Sequence, residues 1–258
     1  MSPFLRPRPV EQPELRLIGF HHAGGSAAVY YPMSREFPPE WDLVLIDLPG
    51  RGKRHAETPL ADMRELVDTV VADVTPWLDA PVALFGHSLG AILATEVAWA
   101  LEAVAREGGG AGPVVWVGAS GRVPPSLQAR GRRKLHELAD DALLAELMAM
   151  GGTPDRIEEM PEFRDRFLRT VRADLRAVDS YRPAEDRPPL GCPLTVFGGT
   201  ADSWAPPAAM AAWRRETRSD FGQRFFPGGH FYFLGPAFAE FTRELVAELR
   251  GFTTPAAA

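Results

Sequence analysis

Short apolar runs alternate with longer stretches in which apolar residues return every three or four positions. The runs at 15–20, 43–46, 82–85, 114–117, 194–197 and 223–226 have the length and composition of strands. The stretches at 62–78, 89–105, 206–217 and 236–250 carry helical spacing. Strand and helix in alternation predict an α/β fold, with a mostly parallel central sheet flanked by helices on both faces. Gly108-Gly109-Gly110-Ala111-Gly112 reads as a flexible loop, and residues 253–258 as a frayed tail. No internal repeat is visible. The chain is read as one domain over residues 1–258.

More residues lie between the fourth and fifth runs than one helix and two loops require. Residues 126–181 show helical periodicity twice, first through Leu135, Leu138, Leu143, Leu144, Leu147 and Met148. The second pattern runs through Ile157, Phe163, Phe167, Leu168, Val171 and Leu175. A helical insertion is expected here, placed to roof a site as a lid. Most of its apolar residues should pack the insertion onto the domain. Met148 and Met150 are the candidates to touch a variable apolar guest, since methionine is flexible and polarisable.

Chemistry enters at Phe85-Gly86-His87-Ser88-Leu89-Gly90, a G-x-S-x-G run between a predicted strand and a predicted helix. That context makes a nucleophile elbow, a strained turn that lifts a serine hydroxyl over the sheet. In such a fold the acid and then the histidine follow the serine in chain order. His21, His22 and His55 precede Ser88, His87 adjoins it, and His136 lies in a charged helical stretch that reads as solvated. His230 remains, on a loop after the last predicted strand. Asp202 is the first carboxylate beyond the strand at 194–197, at the sheet end where ligands collect. Asp179 and Asp186 precede that strand, and Asp47 precedes Ser88, so all three are weaker candidates. The first strand runs into His21-His22-Ala23-Gly24-Gly25-Ser26, a loop that can aim amides at a substrate. The amides of Ala23 and Leu89 are the candidate oxyanion donors, with Gly24 as the alternative. Taken singly, each fragment also fits a plainer role: a Gly-rich turn, a surface histidine, a turn aspartate. Their order along the chain favours the joint reading of Ser88, Asp202 and His230 as a catalytic triad.

With these pieces in place the chain resembles the type II thioesterases, free-standing α/β-hydrolases that accompany polyketide and nonribosomal peptide synthases. The matching segments are His22-Ala23-Gly24-Gly25-Ser26-Ala27, Asp47-Leu48-Pro49-Gly50-Arg51-Gly52 and Gly86-His87-Ser88-Leu89-Gly90. Met150-Gly151-Gly152-Thr153-Pro154, Arg172-Ala173-Asp174-Leu175-Arg176, Phe197-Gly198-Gly199-Thr200-Ala201-Asp202 and Gly228-Gly229-His230-Phe231-Tyr232 complete the set. They span about residues 15 to 250. The resemblance implies hydrolysis of acyl thioesters from the phosphopantetheine arm of acyl or peptidyl carrier protein domains. It also implies a monomer, and either removal of stalled groups or release of finished chains. One departure stands out: His21 occupies a position that is usually proline. It would alter the oxyanion loop or place a polar group at the pocket mouth. A carboxylesterase would share the triad, and a non-catalytic binding module of the same fold would usually lack part of it.

Composition narrows the setting. The chain has 258 residues, 45% of them hydrophobic and 24% charged, which suits a packed globular domain. No run approaches the roughly 18 apolar residues that span a bilayer, and the first dozen residues lack the apolar core of a signal peptide. A cytoplasmic protein without membrane contact is the expectation. The lone Cys192 excludes an internal disulfide and reads as a buried structural thiol. No His/Cys cluster has metal-ligand spacing, so no metal or resident cofactor is expected; phosphopantetheine arrives with the substrate. The net charge of −6 disfavours nucleic acid. A carrier protein is itself usually acidic, so docking would need a local basic patch. Arg122, Arg130, Arg132, Arg133 and Lys134 supply one, or else a solvated basic face.

Overall fold

Each apolar run becomes a strand of one sheet. The computed structural model describes residues 3–110, 112–127, 134–153, 157–184 and 186–252. Its strands are β1 (Phe4–Leu5), β2 (Leu15–Phe20), β3 (Trp41–Ile46), β4 (Val82–His87), β5 (Val114–Ser120), β6 (Leu194–Gly199) and β7 (Phe221–Phe226). Their order across the sheet is β1-β3-β2-β4-β5-β6-β7. All neighbours run parallel except β1, which pairs antiparallel to β3 through Phe4 and Ile46. The two-residue β1 is too short to carry a readable periodicity and was not expected. β4 and β5 run on past the apolar stretch into His87 and Ser120, because neighbouring strands pair with them there.

Strands β2, β3, β4 and β6 are buried along their whole length, as expected for a parallel sheet covered on both faces. Along β4, Val82 and Leu84 join one core and Ala83 and Phe85 the other, the two-residue alternation of a pleated strand. The first core packs under α1 (Met63–Val74) and α2 (Leu89–Glu107). Asp62 caps α1, its carboxylate accepting from the amides of Arg64 and Glu65. The insertion between β5 and β6 holds α3 (Asp140–Met150) and α4 (Pro161–Ser180). Farther along, the stretch at 206–217 forms only a short α5 (Pro207–Met210) before tightening to a 3-10 turn. The second core packs under α6 (Phe238–Arg250), through Phe241, Leu245 and Leu249.

A third apolar cluster joins the insertion to itself: Leu135, Leu143, Leu147, Leu168, Val171 and Leu175, with Ala23 and Met150 packed against it. Cys192 is buried, as expected, and desolvation pushes its thiol up to about 12. Among the described residues, no helix is long and apolar enough to cross a membrane. Arg130, Arg132 and Arg133, and the tail at 253–258, lie outside the described residues. Of the remaining basic patch, Lys134 pairs with Glu137 on the surface. The main-chain carbonyl of Arg122 accepts from Trp213 Nε1.

Candidate active site

The site begins at the end of β4. Ser88 has φ 56° and ψ −108°, and it is the only described residue other than glycine with positive φ. So tight a turn leaves no room on either side. A Cβ on Gly86 would lie 1.9 Å from the carbonyl oxygen of Gly90, and one on Gly90 2.0 Å from that of Phe20. These contacts are why the run reads G-x-S-x-G. The Ser88 amide donates to the Ser120 carbonyl of β5 at 2.8 Å, which anchors the turn to the sheet. Leu89 opens α2, where the first-turn amides have no acceptor within the helix.

Asp202 and His230 meet because two loops at the ends of β6 and β7 are laced together. Thr200 N donates to Phe226 O at 2.9 Å, and Ala201 N to Gly228 O at 2.8 Å. Gly199 permits the approach, since a Cβ there would sit 2.1 Å from Gly229 O. His230 Nδ1 then lies 2.9 Å from Asp202 Oδ2. The other oxygen, Oδ1, accepts from the amides of Trp204 (2.8 Å) and Ala205 (3.1 Å). Burial opposes ionisation of this carboxyl. The His230 hydrogen bond and charge, with the two amides, outweigh it and hold the group below its ordinary value. An ionised Asp202 accepts a proton bond from Nδ1, leaving His230 Nε2 as the acceptor. Both side chains are almost wholly buried.

Ser88, His230, Ala23 and His22 line one cavity of about 50 Å³. Leu147, Met150, Phe167 and Leu175 from the insertion complete its walls, with Gly151, Gly152, Thr153 and Phe231. A groove of about 550 Å³ along α4 and one of about 520 Å³ between the start of α1 and the segment after α4 do not touch Ser88, so size does not mark the site. Met150 lines the cavity and Met148 does not. Met148 is 51% exposed. A helical residue turns by about 100° per position, so Leu147 and Met150 share a face and Met148 points away. The phase of α3 was legible from its spacing, and Leu147 was the residue to choose.

The other candidates have separate occupations. His136 is not solvated: its Nδ1 lies 2.7 Å from Asp179, which removes Asp179 as a partner for His230. Asp186 is exposed on a turn. Asp47 accepts from the amides of Ala27 and Lys53. His21 is buried rather than at the pocket mouth, its Nδ1 lying 2.8 Å from His22 O. Around the site, His21, His22 and His87 are all held uncharged, mainly by burial. His22 falls to about 3, helped by the nearby His230 and Arg51. His87 rests on a relay to Ser120 and Tyr232, both contacts 2.8 Å, and its ring centroid is 4.7 Å from that of His230.

The thioesterase domain family matches residues 15–246. The gramicidin S biosynthesis protein GrsT of Aneurinibacillus migulanus is 34% identical over 219 residues, covering 85% of this chain and 83% of its own. Among solved structures, the thioesterase RedJ from the prodiginine pathway of Streptomyces coelicolor superposes with a TM-score of 0.81 at 37% identity. That match covers 93% of this chain and 90% of RedJ. The type II thioesterase BorB of the borrelidin cluster gives a TM-score of 0.83 at 33% identity, over 97% of both chains. The chain belongs to the thioesterase domain family, and it is a type II thioesterase of the α/β-hydrolase fold.

Proposed function

We propose that this thioesterase cleaves acyl groups from the phosphopantetheine arm of acyl or peptidyl carrier proteins, clearing stalled or wrong chains from a polyketide or nonribosomal peptide synthase. One observation carries the reading. A strained Ser88 shares its cavity with a His230 that Asp202 holds by Nδ1. Relatives named for the gramicidin S, prodiginine and borrelidin pathways, and one for the yersiniabactin NRPS/PKS pathway, support the substrate class.

In the first step His230 Nε2 takes the Ser88 hydroxyl proton as Oγ bonds to the thioester carbonyl carbon. Negative charge collects on the carbonyl oxygen, facing the amides of Ala23 and Leu89. The C–S bond breaks and the thiol leaves with the proton from His230. Water then attacks the acyl-serine, giving its proton to His230, and the free acid departs as Ser88 recovers its hydrogen. Asp202 keeps the imidazole in one tautomer and stabilises its charged form. The steps call only on these groups and on the arm that the substrate carries. Helices α3 and α4 act as a lid whose inner face shapes the acyl pocket.

The test compares one acyl group presented as an N-acetylcysteamine thioester and as an oxygen ester, with a fluorophosphonate probe mapped by peptide mass. Labelling at Ser88 with hydrolysis strongly favouring the thioester supports the reading. Comparable rates on both substrates would make the protein a carboxylesterase. A folded protein that takes no label would make it a binding module.

A further inference from the structure

Two of the segments that mark the family resemblance, 47–52 and 172–176, contribute no group to the reaction above. Their side chains converge behind the oxyanion loop. Asp174 on α4 is fully buried, and its Oδ2 accepts from the Gly24 amide at 2.8 Å. The same carboxylate takes both terminal nitrogens of Arg51, at 2.5 and 2.9 Å. Arg51 is itself buried and also donates to Pro49 O. At the far end of the loop, Asp47 accepts from the Ala27 amide at 2.8 Å and from the Lys53 amide at 2.9 Å. The oxyanion loop is thus pinned at Gly24 and at Ala27 by two carboxylates, and each is tied to the segment at 47–53.

The consequence falls on Ala23. Its amide is separated from the Gly24 amide by two torsions only, because the peptide planes are rigid. Fixing the direction of Gly24 N–H therefore restricts the direction of Ala23 N–H. The positive φ of 75° at Gly24 lets the loop turn toward Asp174. Phe167 and Val171 of α4 press on the same spot, 3.0 Å from where a Gly24 Cβ would stand.

We propose that Asp174 is a positioning residue for the oxyanion hole, and that it makes the orientation of the Ala23 amide depend on the seating of α4. This rests on the functional reading above. The insertion then does more than wall the acyl pocket: a lid helix lifted away from the domain would carry off the acceptor that sets the loop. Arg51 grips the carboxylate through both terminal nitrogens and keeps it aimed at Gly24.

The test must separate the acceptor from the ion pair. Arg51→Met/Asp174→Asn and Arg51→Met/Asp174→Leu both remove the buried charges, but only the first keeps an oxygen for Gly24 N–H. Hydrolysis of a short-chain acyl N-acetylcysteamine thioester is measured across pH, with circular dichroism confirming the fold. The expected result is a kcat for the Leu variant about 10–100-fold below that of the Asn variant, part of what loss of a whole oxyanion donor costs. KM should agree within about twofold and the apparent pKa of the rate profile should not move, because a misdirected donor weakens only the charged intermediate. Equal kcat values, or a difference confined to KM, would overturn the proposal. Should the double variants not fold, Asp174→Asn and Asp174→Ala are compared at low temperature by the phosphonylation rate of Ser88. A ratio of about tenfold or more supports the proposal and a ratio near one overturns it. A wild-type enzyme without Ser88-dependent hydrolysis would instead sink the functional reading, a distinguishable outcome.

Discussion

Ser88 holds a backbone conformation that costs side-chain-bearing residues about 1–3 kcal/mol. It makes no side-chain cap to α2 that would offset this. Ser88→Gly should therefore abolish hydrolysis while raising stability by about 1 kcal/mol, after allowing for the freer unfolded chain. Denaturant midpoints check this, and a lower midpoint would refute stored strain. Asp202→Asn keeps the shape but loses the charge that selects the His230 tautomer. Its kcat should fall by about 10⁴-fold with the fold intact, and an unchanged rate would move the acid elsewhere. These residues were legible because each stands at a strand end in a fixed chain order. Asp174 was not: its partners Gly24 and Arg51 are 150 and 123 positions away, and only the fold brings the three together.

Helix α3 shows what element-level reading can and cannot do. The insertion was visible from two stretches of apolar spacing, and Met150 lines the cavity beside Ser88. Met148 was chosen for its chemistry rather than its phase, and the helix turns it to solvent. The two neighbours should behave differently. Leu147→Ala enlarges the pocket and should shift kcat/KM toward longer acyl chains across a thioester panel, whereas Met148→Ala should leave the preference where it is. Equal shifts in both would contradict the assigned face of α3. The loops of β6 and β7 carry a further lesson. Gly199 and Gly228 lie far apart in the chain, yet their close approach is what sets Asp202 against His230.

Across the whole molecule, the alternation of strands and helices was enough to predict a parallel sheet with two covered faces. The antiparallel β1 escaped, being two residues long and defined only by pairing with β3. Charge at the centre of the fold has a global effect. His21, His22 and His87 stay neutral in the folded protein, while in the unfolded chain each titrates near 6.5. Below that pH the unfolded chain binds protons that the fold refuses, so stability is lost as pH falls through 6.5; above it, these groups leave stability level. His22 alone, with its folded value at about 3, removes about 2 kcal/mol at pH 5. Urea midpoints at pH 7.5 and pH 5 should differ accordingly, and coincident midpoints would contradict the buried neutral cluster.

The most direct measurement is intact-mass analysis of an acyl-loaded holo carrier protein incubated with the wild-type enzyme and with Ser88→Ala. The account predicts that the acyl mass disappears with the wild type alone, leaving the free phosphopantetheine thiol. An acyl group retained in both incubations, with the wild-type protein folded and reactive to the fluorophosphonate, would contradict it.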